Sequence, residues 1–240
     1  YKKIRNEFTG VLTGKGLAYG GSLIRPEATG YGVVYFAEQM LRTIGEDFKG
    51  KTVSVSGFGN VAWGVIKKVE ELGGKAVTLS GPDGYVYDKD GITGEKIEYL
   101  LELRASGNNR AEDYVKKYPS AEFHAGKRPW EVKCDVAIPS ATQNELDLED
   151  AKKLVENGVI CVTEAANMPS TLDAINYFLD NKVLFSPGKA SNAGGVATSG
   201  LEMTQNSIRL NWSSEEVDAR LKEIMIGIHK ACRDYGKEED

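Results

Sequence analysis

The segment Gly57-Phe58-Gly59-Asn60-Val61-Ala62 has the clearest chemical consequence in this sequence. It follows an apolar run, residues 53–55, and precedes an amphipathic segment, so it predicts a turn between a strand and a helix. In such a turn the first glycine permits a tight bend, the second lets a diphosphate approach the backbone, and a small third residue lets helix and strand pack closely. The N–H groups at the helix start favour anions. The segment therefore predicts a dinucleotide site, with a purely structural glycine turn as the alternative.

The end of the second predicted strand is where a dinucleotide-binding domain places an acid on the adenosine ribose. Here that strand ends in Leu79-Ser80-Gly81-Pro82-Asp83. Asp83 comes slightly late for this role, and Ser80 or Gly81 occupies the usual position. A carboxylate at the ribose would favour NAD over NADP by repelling the extra phosphate. Because Pro82-Asp83-Gly84 could equally form only a turn, the choice between NAD and NADP stays open.

Three further segments follow predicted strands and are rich in small or amide-bearing residues: 139–144, 164–169 and 187–200. Ligands of an open parallel sheet bind beyond the carboxyl ends of the strands, so these segments are placed to contact the nicotinamide half of a dinucleotide. Asn192 and Ser199 could donate hydrogen bonds to an anionic ligand. The alternative is that the first two segments form only turns and caps, and that the third allows tight helix packing.

Short runs of β-branched and apolar residues predict the sheet that must position these segments. The runs are 53–55, 76–79, 135–138, 159–162 and 183–185. Most successive runs leave room for one helix, which is typical of βαβ units in a parallel sheet whose strands are buried on both faces. The longer gap after the second run predicts an insertion with a hairpin that begins at 85–87 and turns at Asp90-Gly91. Helices are expected near 95–106 and 110–117.

Hydrophobic periodicity and capping residues predict the helices around this sheet. One helix spans about residues 61–72, places Lys67, Lys68, Glu70 and Glu71 on its polar face, and ends at Gly73-Gly74. Another has Pro26 in its first turn. The predicted N-caps of three later helices are Asp147, Ser170 and Ser213. The predicted fold class is α/β, with a Rossmann-type open, mostly parallel sheet and helices on both faces.

Composition narrows the function classes. The 240 residues carry a formal net charge of −5, and no basic stripe supports a nucleic-acid partner or an anionic membrane surface. No apolar run approaches the roughly 18 residues that a membrane-spanning helix needs. The three cysteines form no CxxC pair, so we expect a reducing, cytoplasmic location. The two histidines have no second ligand at metal-site spacing, and no metal site is expected.

The length and the lack of an obvious linker predict one dinucleotide-binding domain over residues 1–240, with flanking helices before residue 50 and after residue 190. The chain opens on Tyr1 and closes on Lys237-Glu238-Glu239-Asp240. With no initiator Met and no targeting segment, these ends indicate a part of a longer protein.

Four segments together resemble the hexameric glutamate dehydrogenases of bacteria and lower eukaryotes. They are residues 22–32 (Ser-Leu-Ile-Arg-Pro-Glu-Ala-Thr-Gly-Tyr-Gly), 57–62, 139–145 and 192–196. The segments occur in the family's order, and the resemblance runs through essentially the whole chain. It implies the reversible oxidative deamination of L-glutamate to 2-oxoglutarate and ammonia by hydride transfer, with NAD or NADP, in a homo-hexamer.

The resemblance also implies roles for individual residues. The pyrophosphate would be held by Gly57, Phe58, Gly59, Asn60 and Val61. Arg25 and Thr29 would lie near the nicotinamide end, and the ribose and carboxamide would be lined by Ala141, Thr142 and Asn167. Ser80 and Asp83 remain the candidates for the adenosine ribose. The residues that would reach the substrate are Asn192, Val196 and Ser199, with Ser199 toward its distal carboxylate.

One departure from the family limits these expectations. The family's catalytic lysine and aspartate belong to an N-terminal domain that this chain does not contain, so no catalytic residue is predicted here. We therefore expect the chain alone to bind cofactor and to turn over little or no glutamate. Two alternatives remain, a leucine- or phenylalanine-type amino-acid dehydrogenase and a non-catalytic dinucleotide-sensing module.

Overall fold

A computed structural model describes residue 4 and residues 10–236. Tyr1 and residues 237–240, the two chain ends discussed above, therefore lie outside the described residues. The strands, in chain order, are β1 (Thr52–Val55), β2 (Lys75–Ala76), β3 (Thr78–Gly81), β4 (Gly84–Tyr87), β5 (Glu122–Ala125), β6 (Val136–Ile138), β7 (Cys161–Thr163) and β8 (Leu184–Ser186). Five of them form a parallel sheet in the order β2-β1-β6-β7-β8. The remaining three form an antiparallel sheet in the order β3-β4-β5.

Helices flank these strands. In chain order they are α1 (Ala28–Arg42), α2 (Asn60–Glu71), α3 (Glu95–Ala105), α4 (Asp113–Lys117), α5 (Leu148–Glu156), α6 (Leu172–Asp180), α7 (Gly188–Ser191), α8 (Gly194–Ile208) and α9 (Ser214–Tyr235). Short 3₁₀ helices lie at Leu17–Tyr19 and Pro129–Glu131. No helix among the described residues is both long and apolar enough to cross a membrane.

The central strands alternate their side chains between two apolar layers. On β6, Val136 and Ile138 belong to one core cluster, which also contains α1, α2 and α9 residues, whereas Ala137 belongs to a second cluster with residues of α5 and α6. Successive strand residues point to opposite faces of a sheet, so both faces are covered by helices. The predicted α/β fold class, an open and mostly parallel sheet with helices on both faces, is confirmed.

Two of the three predicted N-caps are confirmed. Asp147 and Ser213 each cap a helix by accepting backbone N–H groups, and each forms a capping box with the third residue of its helix. The prediction for Ser170 is wrong, because the Thr171 side chain accepts the N–H of Ala174 and is the N-cap of α6. Pro26 lies just ahead of α1 rather than inside its first turn.

The insertion differs from its prediction. The run 76–79 does not stay one strand, because β2 ends at Ala76 and β3 turns away to pair antiparallel with β4. A turn does form before Gly91, whose N–H donates to the backbone oxygen of Asp88 at 2.9 Å, but the hairpin predicted around it is wrong. The hairpin turns at Pro82-Asp83, before β4 and not after it. A long-range contact stabilises this turn, since the carboxylate of Asp83 accepts hydrogen bonds from the N–H groups of Ala111 and Glu112.

Candidate functional site

The first glycine of the turn between β1 and α2, Gly57, is required by the protein's own backbone and packing. Gly57 has a φ of +79°, a region that L side chains rarely adopt. A Cβ there would lie 3.3 Å from the Cβ of Ala141. The N–H of Gly57 donates to Ser80 Oγ at 2.8 Å, which joins the turn to β3. Gly57 is thus needed for the turn itself and for its close approach to the loop after β6.

Gly59 differs, because nothing in the protein explains the lack of a side chain. Its φ is −75°, and a Cβ built at this position meets no protein atom within 4 Å. Gly59 is the N-cap of α2, and no side chain caps this helix end. The first N–H groups of a helix have no partner within it and carry partial positive charge. The open space beside Gly59 is therefore suited to an anion that approaches the backbone.

A cavity of about 610 Å³ opens beside this turn. The turn, the end of β3 and the loop after β6 form its walls, with basic side chains at the rim. The lining includes Gly57, Phe58, Gly59, Ser80, Gly81, Ala141 and Thr142, together with Arg104, Lys127 and Arg128. This arrangement places three of the predicted pyrophosphate residues, Gly57, Phe58 and Gly59, around one volume with the predicted ribose residues Ser80, Ala141 and Thr142.

A neighbouring cavity of about 690 Å³ contains the other group of predicted residues. Its lining includes Arg25, Thr29, Val61, Ala141, Asn167, Asn192, Val196 and Ser199. Ala141 and Ser140 line both cavities, so the two volumes meet at the loop after β6. We call them the first and the second cavity. Together they are lined by all but two of the predicted site residues, the exceptions being Asn60 and Asp83.

Asn60 lines a different cavity, together with Arg25 and Thr29. Asp83 lies at the turn before β4 and does not line the first cavity. Its Oδ1 accepts the N–H of Ala111 at 2.9 Å, and its Oδ2 accepts the N–H of Glu112 at 3.0 Å. These contacts favour the turn interpretation of the segment. Ser80 and Gly81 reach the cavity wall instead.

Arg25 and Ser199 connect two elements at the second cavity. Arg25 Nε donates to Ser199 Oγ at 3.1 Å and joins the segment before α1 to α8. The preceding residue, Ile24, has a φ of +66°, which is rare for a β-branched residue and costs about 1–3 kcal/mol. Such strain concentrates at functional sites. Among the described residues that line this cavity, Arg25 is the single ionisable one.

Asn167 and Asn192 join two other loops at the same cavity. Asn192 Nδ2 donates to Asn167 Oδ1 at 2.8 Å. Asn167 follows β7 and Asn192 follows α7, so the contact links the loops beyond two neighbouring strands. The pair presents polar amide groups where the sequence predicted contacts with a nicotinamide and a substrate.

Two buried carboxylates that sequence reasoning missed hold the loops of this site. Glu145 Oε1 accepts hydrogen bonds from Ser56 Oγ at 2.9 Å, from the N–H of Ala141 at 2.9 Å and from the N–H of Thr142 at 3.2 Å. Burial raises the pKa of the Glu145 carboxyl above its ordinary value, although these hydrogen bonds oppose the shift. Glu164 is 3% exposed and holds the loops after β7 and β8. An acid directly after a buried strand is the signal that could have identified Glu164.

Comparisons with known proteins agree with this geometry. The profile of the Glutamate/Leucine/Phenylalanine/Valine dehydrogenase family matches residues 20–240. The NAD-specific glutamate dehydrogenase of Bacteroides fragilis is 62% identical over 240 residues, which cover 100% of this chain and 54% of that protein. The NADP-specific glutamate dehydrogenase of Haemophilus influenzae is 55% identical and covers 98% of this chain and 52% of its own.

A solved structure named glutamate dehydrogenase superposes on this chain with a TM-score of 0.93 at 52% identity, over 98% of this chain and 54% of the other. The chain spans about half the length of the curated relatives it matches.

Proposed function

Because this chain belongs to the Glutamate/Leucine/Phenylalanine/Valine dehydrogenase family, we propose that it forms the dinucleotide-binding part of a glutamate dehydrogenase. The reaction is the reversible oxidative deamination of L-glutamate to 2-oxoglutarate and ammonia, with NAD or NADP. The observation that supports this proposal best is the open space beside Gly59 at the uncapped start of α2. A glycine with no protein neighbour at a helix N-terminus is what a diphosphate ligand requires.

Two cavities that meet at the loop after β6 support the binding of a two-part ligand such as a dinucleotide. Its diphosphate would lie against the N–H groups of Gly59, Asn60 and Val61, and its adenosine would occupy the first cavity beside Ser80. Its nicotinamide half would extend past Ala141 into the second cavity, toward Thr29 and Asn167. When bound, the nicotinamide ring supplies the hydride acceptor or donor of the reaction. The protein's part is to hold that ring and the substrate in contact and to exclude water.

Ser199 and Arg25 are suited to an anionic substrate. Ser199 Oγ accepts a hydrogen bond from Arg25 Nε, so its own O–H remains a donor. A carboxylate at this position would gain that donor and the nearby guanidinium charge. Asn192 and Val196 line the same side of the second cavity. Asn192 belongs to the amide pair with Asn167, and Val196 lies on the exposed surface of α8. We propose that these residues bind the substrate.

The reaction also needs groups that take up and release protons. Arg25 stays protonated and is the single ionisable residue among the described ones lining the second cavity. We therefore propose that the acid-base residues of the complete enzyme lie outside this chain. A homo-hexameric assembly and a cytoplasmic location are likewise proposals that rest on the family resemblance, and light scattering and cell fractionation test them.

A substrate screen on the complete protein tests the proposed activity. L-glutamate is the expected substrate, and both NAD and NADP should be supplied separately to find which is used. A preference for leucine or phenylalanine would show that one of these amino acids, and not glutamate, is the substrate. Full activity after Ser199→Ala would contradict the assigned substrate site, whereas dinucleotide binding without oxidation of any amino acid would indicate a sensing module.

A further inference from the structure

Two loops that line the second cavity are held by one buried carboxylate, that of Glu164, which follows β7. Its Oε1 accepts the N–H of Ser170 at 3.1 Å, and its Oε2 accepts the N–H of Gly188 at 2.8 Å. Its backbone oxygen accepts the Ser191 hydroxyl at 2.6 Å. Glu164 is only 3% exposed. The residue thus bonds its own loop, residues 164–170, to the start of α7.

The same two loops touch again on the cavity side. A Cβ on Gly188 would lie 2.6 Å from the backbone oxygen of Ala166, so the backbones are in direct contact there. A few residues on, Asn192 Nδ2 donates to Asn167 Oδ1 at 2.8 Å. The Asn167–Asn192 amide pair and the Glu164 carboxylate are therefore two ends of one loop contact. A movement of the buried end would shift the amides that face the cavity.

A carboxylate is the side chain that this position requires. Both of its oxygens are acceptors, and each meets a different N–H group. Glutamine would place an NH₂ group against one of these N–H groups, because an amide has a single acceptor oxygen. A buried carboxylate is itself unfavourable unless it is hydrogen-bonded. The two bonds therefore depend on each other and fix the distance between the loops.

We propose that Glu164 is a positioning residue for the nicotinamide half of the dinucleotide site. It acts through the backbone of two loops and sets where Asn167 and Asn192 meet the ligand. Its carboxylate does not line either cavity, so it does not act by contact with the cofactor. The proposal rests on the proposed dinucleotide-binding function. It assigns Glu164 no part in holding the adenosine half, which lies against the glycine turn.

Titration of the Glu164→Gln chain with two ligands tests this assignment. NADH or NADPH occupies both halves of the site, whereas ADP-ribose lacks the nicotinamide. We expect Glu164→Gln to weaken dinucleotide binding roughly tenfold, because one hydrogen bond to a charged group is lost. ADP-ribose binding should be unchanged. Glu164→Asp keeps both acceptors on a shorter side chain and should give an intermediate loss. Equal effects on both ligands, or no effect on either, would overturn the proposal.

Asp88→Asn provides the matched control, because Asp88 is a fully buried carboxylate in the insertion and lines neither cavity. It should leave the ratio of the two affinities unchanged. Amide hydrogen exchange gives a readout without ligand: Ser170 and Gly188 should be protected in the unmodified chain and lose protection selectively in Glu164→Gln. Unprotected amides in the unmodified chain would refute the loop contact. If the unmodified chain bound neither ligand, the proposed function would fail, and amide exchange would still decide whether Glu164 joins the loops.

Discussion

At the scale of single residues, the two positions Gly57 and Gly59 in the turn after β1 are glycine for different physical reasons. Gly57 is required by its positive φ and by the loop that packs against it, so a substitution there would strain the fold. Gly59 has neither constraint. This contrast separates the structural interpretation of the glycine pattern from the ligand-binding one, which the sequence left open. Only Gly59 allows a test that changes ligand binding without disturbing the protein.

Gly59→Val should weaken NAD(P) binding by roughly tenfold or more, because a side chain there occupies the space that the diphosphate needs. The fold should be retained, with at most a small loss from the altered N-cap. Calorimetric titration measures the affinity, and circular dichroism checks the fold.

Gly227→Val is the matched control for this substitution, since a Cβ at Gly227 in α9 also meets no atom within 4 Å. It should bind the dinucleotide normally. Unchanged affinity in Gly59→Val would refute the placement of the diphosphate.

Glu145 predicts a pH dependence of stability. In the folded chain burial raises the pKa of its carboxyl above the ordinary value of 4.5. The protonated Glu145 carboxyl therefore contributes its full stability below about pH 4.5, and this contribution is lost as the pH rises through the folded-state pKa. Glu145→Gln cannot ionise, so its free energy of unfolding should fall less over this range than that of the unmodified chain. Urea unfolding at several pH values measures the difference, and a steeper fall in the variant would contradict the expectation.

At the scale of elements, a buried lysine joins three helices of one layer. Lys68 on α2 is 3% exposed, its Nζ lies 3.0 Å from Asp218 Oδ2 on α9, and it lies 4.0 Å from the ring centre of Tyr31 on α1. Tyr35 also donates its hydroxyl to Asp218 at 2.8 Å. The sequence pattern placed Lys68 on the polar face of its helix, whereas the structure buries it between the tyrosine rings of α1 and Asp218 of α9. Periodicity within one helix carries no information about a helix that returns from the chain's far end.

Lys68→Met should destabilise the fold by about 2 kcal/mol, because it leaves Asp218 without its buried cation. Partial exposure of Asp218 keeps the expected loss below that of a fully buried pair. Urea denaturation measures it. Lys67→Met removes the neighbouring lysine, which is only half-buried against Trp63, and should have a smaller effect. Equal losses in the two variants would contradict the role given to Lys68.

Local signals predicted those elements whose causes are local. The apolar runs of the parallel sheet, the turn at Gly57 and the caps at Asp147 and Ser213 all follow from neighbouring residues. The hairpin prediction was wrong because the segment contains two aspartate-glycine turns, and β3 pairs with β4 across the first of them. That turn also bonds to the distant Ala111, a contact that local signals do not contain. The hydrogen bonds of Glu145 and Glu164 at the site could not be predicted for the same reason, because they join loops that are far apart in the chain.

At the scale of the whole molecule, two cavities meet at the carboxyl edge of the sheet, and the chain spans about half the length of its relatives. In the proposed function the cavities hold a dinucleotide and one side of a substrate. They offer no acid-base group among the described residues of the second cavity. Binding and turnover should therefore separate in this chain.

We expect the 240 residues alone to bind NAD or NADP and to oxidise glutamate slowly or not at all. Steady-state absorbance at saturating glutamate and cofactor, beside a binding titration of the same sample, checks both parts. Robust turnover by the purified chain would show that the acid-base residues lie within it.

The structure of this chain with a bound dinucleotide tests the central claim most directly. The account predicts the diphosphate against the N–H groups of Gly59, Asn60 and Val61, the adenosine in the first cavity and the nicotinamide beside Asn167 in the second. A diphosphate lying away from the start of α2, or a nicotinamide outside the second cavity, would contradict it.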